Sequence, residues 1–94
     1  MTLDELRARR TEIERIAARH GAGNVRVFGS VARGDAVSGS DVDLLVDFDP
    51  NRTVLDLSAL ILDLQEALGC EVDVKERAGD GRAGERIARE AIAL

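Results

Sequence analysis

Asp41 and Asp43 stand two residues apart in the run DVDLLVDF. On an extended chain such residues share a face, with Cα atoms roughly 6–7 Å apart. Their carboxylates can therefore aim at one point. At ~5 Å and an effective dielectric of ~20 they repel by about 3 kcal/mol. A divalent cation turns that repulsion into binding free energy. With no His or Cys beside them the donors are hard oxygens, which suit Mg²⁺ (or Mn²⁺) rather than zinc.

Asp73 adds a third carboxylate. It sits between Val72 and Val74 in CEVDVKE and faces away from both. If that strand lies beside the acidic one, Asp73 can join Asp41 and Asp43. Three convergent carboxylates are the equipment of two-metal phosphoryl or nucleotidyl transfer. Gly29 and Ser30 supply the complement. They end one strand and open a short helix, where a Gly lets phosphate approach the backbone. Exposed N–H groups and the Ser hydroxyl can hold phosphate oxygens there.

The elements that must carry these residues are legible from periodicity. TLDELRARRTEIERIAARHG reads as one helix, with Thr2 and Glu5 as its capping box and Leu6, Ile13, Ile16, Ala17 and His20 near one face. NVRVF is a short strand. The segment GSVARGDAVSGS is a Gly/Ser-rich turn with room for a short helix from Ser30 to about Ala36. In DVDLLVDF, Val42, Leu44, Val46 and Phe48 share one face, and Asp41, Asp43, Leu45 and Asp47 the other. Thr53 and Asp56 cap a helix that reaches Leu68, with Leu57, Leu60, Ile61, Leu64 and Leu68 as its apolar stripe. A third strand, CEVDVKE, puts Glu71, Asp73 and Lys75 on one face. RAGDGRAG reads as a loop and ERIAREAIAL as a closing helix. The expected class is α/β (α+β), with a small mixed three-stranded sheet and helices packed on it. The expected organisation is one domain over residues 1–94.

Composition narrows the function. A 94-residue chain with 45% hydrophobic residues can bury one core, and with two Phe and no Trp or Tyr that core is aliphatic. The net charge of −5 argues against a broad contact with nucleic-acid phosphates. The single cysteine, Cys70, excludes an intrachain disulfide, and no stretch approaches the ~18 apolar residues that span a bilayer. A cytoplasmic protein without direct nucleic-acid or membrane partners is expected.

Gly29-Ser30, ten intervening residues, then Asp41-Val42-Asp43 resembles the signature of the DNA polymerase beta-type nucleotidyltransferases. The longer runs FGSVARGDAVSGSDVDLLVDFD, DLSALILDLQEALGCEVDV and RIAREAIAL resemble the minimal nucleotidyltransferase (MNT) antitoxins paired with HEPN toxins. The resemblance covers nearly the whole chain. It implies that Asp41, Asp43 and Asp73 hold Mg²⁺ and that Gly29 and Ser30 seat the triphosphate of ATP. It implies that Asp73 also helps deprotonate the acceptor. The implied reaction is transfer of AMP to a tyrosine of a HEPN RNase toxin, in a hetero-oligomer with that toxin. Two other functions fit the same residues less fully: a non-catalytic antitoxin acting by occlusion, and a nucleotidyltransferase for a small molecule or an RNA end.

Simpler readings apply elsewhere. Asp47 lies ~13 Å from Asp43 along the strand and reads as solvated, like Asp49. His20 suits a helix C-terminus, and Cys70 is a small packing residue. Arg33 fits a phosphate contact or a turn-fixing role equally well, and Asp35 an N-cap or turn position.

Overall fold

The computed structural model describes residues 1–34, 41–76 and 89–94. The chain opens with α1 (Leu3–Ala8) and α2 (Arg10–Arg19). Thr2 caps α1, its hydroxyl accepting from the Glu5 N–H at 3.2 Å. The sequence reads as one helix here, but the structure breaks it at Arg9. Its backbone (φ −106°, ψ 15°) leaves the helical region. The Arg9 guanidinium donates to the Ala67 carbonyl at 2.6 Å, satisfying an end-of-helix acceptor on a distant element.

Next come β1 (Ala22–Phe28), α3 (Gly29–Arg33) and β2 (Val42–Phe48). The helix α4 (Val54–Leu68) leads to β3 (Val72–Glu76), and β4 (Ile92–Ala93) closes the chain. Thr53 starts α4 with a capping box: its hydroxyl accepts from the Leu55 N–H at 3.2 Å, and Asp56 accepts from the Thr53 N–H at 2.8 Å. The α3 helix is shorter than the expected span to Ala36, ending at Arg33 with Gly34 in the left-handed region. Residues 35–40, Asp35 among them, lie outside the described residues.

The sheet order is β3-β2-β1-β4. The β2–β3 pair is parallel, and β1 pairs antiparallel with both β2 and β4. The mixed α/β class is as expected, with one correction. The sheet has four strands among the described residues, not three, because the end of the chain pairs with β1 instead of finishing a helix. Arg26 and Val27 partner Ala93 and Ile92. This satisfies backbone groups on an edge that would otherwise stay open, and it buries Leu94 in the core.

The core lies on one face of the sheet. Val27, Leu44 and Val74 form a cross-strand row. They pack with Val42, Val46 and Val72 against Leu6, Ile13 and Ile16 of α1 and α2, and against Leu60, Leu64 and Leu68 of α4. Each fully buried aliphatic side chain there stabilises the fold by ~1.5–3 kcal/mol. Val31, given no role by its sequence position, points from α3 into this core. The strand alternation that buries these residues sends their neighbours in sequence to the opposite face.

Candidate active site

One step along from the core row, Phe28, Asp43 and Asp73 are register partners across β1, β2 and β3. The parallel pairing thus sets Asp43 and Asp73 side by side on the same face, with strands ~4.8 Å apart. Asp41 immediately precedes β2 and is exposed. The sequence expectation that Asp73 lies beside the acidic strand holds at the level of register.

Gly29 fits tightly against this row. Its φ of +73° is in the left-handed region, and a Cβ built on it would lie 3.1 Å from the Asp43 Cγ and nearer still to a carboxylate oxygen. Any side chain here would be strained by the backbone and would displace Asp43. Ser30 follows on α3, partly buried, and its hydroxyl has no hydrogen-bond partner among the described residues.

The electrostatics match the geometry. Burial pushes the half-buried Asp43 carboxyl above the ordinary aspartate range, and the negative charges of Asp73 and then Asp41 push it further. Lys75 and Arg33 act in the opposite sense. All three carboxylates are therefore felt at one atom group. Lys75 follows Asp73 by two residues on the same face, and its ammonium lies 3.4 Å from the Asp73 carboxylate.

The donor chemistry of this row fits a hard divalent cation: only carboxylate oxygens, mutually repelling, with Gly29 packed directly against one of them. Among the described residues, no group of three or more His, Cys, Asp or Glu side chains is placed so that it could hold a metal ion as it stands. Asp73 is engaged instead with Lys75.

Other expectations resolve differently. Asp47 is not simply solvated. It accepts from Arg26 at 3.0 Å and from the Asn24 amide at 2.9 Å. Asn24 has a positive φ of 49° beside the register shift between Gly23 and Arg26, so Asp47 pins a bulge in β1. His20 does end α2, and its ring also meets Asp63 of α4 at 2.5 Å. Sequence reasoning placed Lys75 on the Asp73 face without giving it a role; the two-residue spacing was the available signal. The contact between Gly29 and Asp43 is long-range and had no local signal.

Comparison with known proteins assigns the chain to a family. Residues 10–92 match the family model described as Nucleotidyltransferase domain. A Methanocaldococcus jannaschii protein named as a protein adenylyltransferase is 44% identical over 59 residues. That match takes in 63% of this chain and 63% of the relative, so it spans just under two thirds of that protein. The protein adenylyltransferase MntA of Thermococcus cleftensis is 37% identical over 75 residues, which are 79% of this chain and 76% of the relative. A solved structure described as a minimal nucleotidyltransferase superposes with a TM-score of 0.86 at 52% identity. It covers 100% of this chain and 97% of its own. A crystal structure of a toxin–antitoxin with AMP-PNP shares the fold, with a TM-score of 0.75 at 17% identity over 88% of this chain and 69% of its own. No helix of the described residues is long and apolar enough to cross a membrane.

Proposed function

Since this chain belongs to the nucleotidyltransferase domain family, we propose that it is a protein adenylyltransferase that silences a HEPN RNase toxin by moving AMP from ATP to a toxin tyrosine. The names of the two curated relatives support the adenylyltransferase reading. The toxin–antitoxin with AMP-PNP that shares the fold supports a nucleotide and a toxin partner. The HEPN class and the tyrosine rest on the resemblance of the sequence motifs.

One observation carries the proposal: Asp43 and Asp73 are register partners, with Asp41 close enough to act on Asp43 and Gly29 packed against its carboxylate. In this reading Asp41, Asp43 and Asp73 hold Mg²⁺. When bound, the ion neutralises charge on the phosphates and lowers the pKa of an attacking hydroxyl. Gly29 and Ser30 receive the β- and γ-phosphates through backbone N–H and the Ser hydroxyl. The tyrosine oxygen forms a bond to the α-phosphorus as the bond to the bridging oxygen breaks. Pyrophosphate leaves, and Asp73 takes the phenolic proton. Burial and the negative charges of Asp73 and Asp41 disfavour the Asp43 carboxylate, and a bound cation would offset them.

The test is direct. Purified protein, ATP, Mg²⁺ and the toxin encoded beside it are incubated, and the toxin is weighed by intact mass spectrometry. A gain of one or more AMP units, mapped to a tyrosine, is expected. An unmodified toxin mixed with folded protein contradicts the proposal.

A further inference from the structure

We propose that Lys75 is the resident counter-ion of the acidic row: its ammonium holds Asp73 when no divalent cation is bound and releases it when one binds, so that Lys75 sets the site's metal affinity. The inference rests on the metal-site reading above.

Lys75 is the only lysine of the chain; every other cationic side chain is arginine. It stands where a displaceable charge is useful. Period-two alternation puts it on the Asp73 face of β3, and its register partner on β2 is Leu45, two residues beyond Asp43. The Nζ–Oδ2 separation of 3.4 Å is longer than a charge-assisted hydrogen bond of ~2.7–2.9 Å. Both side chains are about half exposed, 50% for Lys75 and 51% for Asp73. A pair of that kind is weak.

Chemistry favours lysine for this task. An ammonium on a flexible stem makes single contacts and can swing away. A guanidinium would grip the carboxylate with two parallel bonds and resist displacement. The same positive charge also offsets the repulsion felt by Asp43, so one side chain tempers two of the three carboxylates in the metal-free protein.

The experiment measures Mn²⁺ binding without nucleotide, by calorimetry or by the loss of free-ion EPR signal. It compares wild type with Lys75→Met, Lys75→Arg, Asp73→Asn and the double variant Lys75→Met, Asp73→Asn. Circular dichroism confirms that each is folded. Lys75→Met should bind Mn²⁺ about three- to ten-fold more tightly at low salt, with the gain shrinking as KCl is added. Lys75→Arg should show no gain. In the Asp73→Asn background, removing Lys75 should change affinity less than about two-fold. Unchanged or weaker binding by Lys75→Met overturns the inference. So does an undiminished gain in the Asp73→Asn background, which would make Lys75 only a nearby charge. A wild type that binds no Mn²⁺ overturns the metal-site reading and this inference together.

Discussion

Gly29 and Asp43 meet across the junction of β1 and β2 so closely that a single methyl group on Gly29 would lie 3.1 Å from the Asp43 Cγ. The glycine's positive φ of 73° sharpens the constraint. Gly29→Ala should destabilise the protein by about 1–2 kcal/mol through backbone strain and should also push Asp43 out of line. Chemical denaturation measures the first effect, and ATP-dependent adenylylation the second. A variant with unchanged activity would show that the contact does not position Asp43.

Asp43 is a group the fold holds at a cost. Its folded pKa lies above its unfolded one, raised by burial and by Asp73 and Asp41. The folded state therefore binds this proton more tightly, and the group's contribution to stability declines as pH rises through the folded pKa. Asp43→Asn should raise the melting temperature of the metal-free protein at pH 7. The advantage should vanish on acidification below about pH 4, where the wild-type carboxyl is also protonated. The same variant should lose transferase activity. Scanning calorimetry at both pH values checks the sign, and a lower melting temperature at pH 7 contradicts it.

How much of this was readable beforehand depended on range. The acidic strand and the α4 cap are local patterns, and period-two alternation alone separated Asp43 and Asp73 from the valines they follow. The β4 strand was misread because AIAL has a helical composition; what decides its state is the open edge of β1. The break at Arg9 depends on a carbonyl 58 residues away. The role of Asp47 depends on a bulge at Asn24. In each case a tertiary partner overrode the local pattern.

Arg33 follows Ser30 by three residues on α3 and adds positive charge at Asp43. Its sequence position fits a phosphate contact or a turn-fixing role equally well, and the two can be separated. Arg33→Ala should raise the KM for ATP about ten- to hundred-fold, the scale of one lost charge-assisted hydrogen bond, with Arg33→Lys in between. Initial rates against ATP concentration decide this, and an unaltered KM would return Arg33 to a structural role.

Thr53 anchors α4, which carries Leu60, Leu64 and Leu68 into the core. Thr53→Ala should cost about 1 kcal/mol and leave adenylylation per folded molecule unchanged, because the cap lies at the other end of β2 from Asp41. Urea denaturation combined with an activity assay separates the two. A loss of specific activity would mean that α4 is coupled to the site.

The most direct test of the central claim is calorimetric titration of ATP into the purified protein with Mg²⁺ present. The claim is that Asp41, Asp43 and Asp73 opposite Gly29 and Ser30 form a metal–nucleotide site. It predicts a saturable heat for one site that disappears when Mg²⁺ is chelated and in the Asp41→Asn, Asp43→Asn double variant. No heat in the wild type, or the same heat in that double variant, would contradict it.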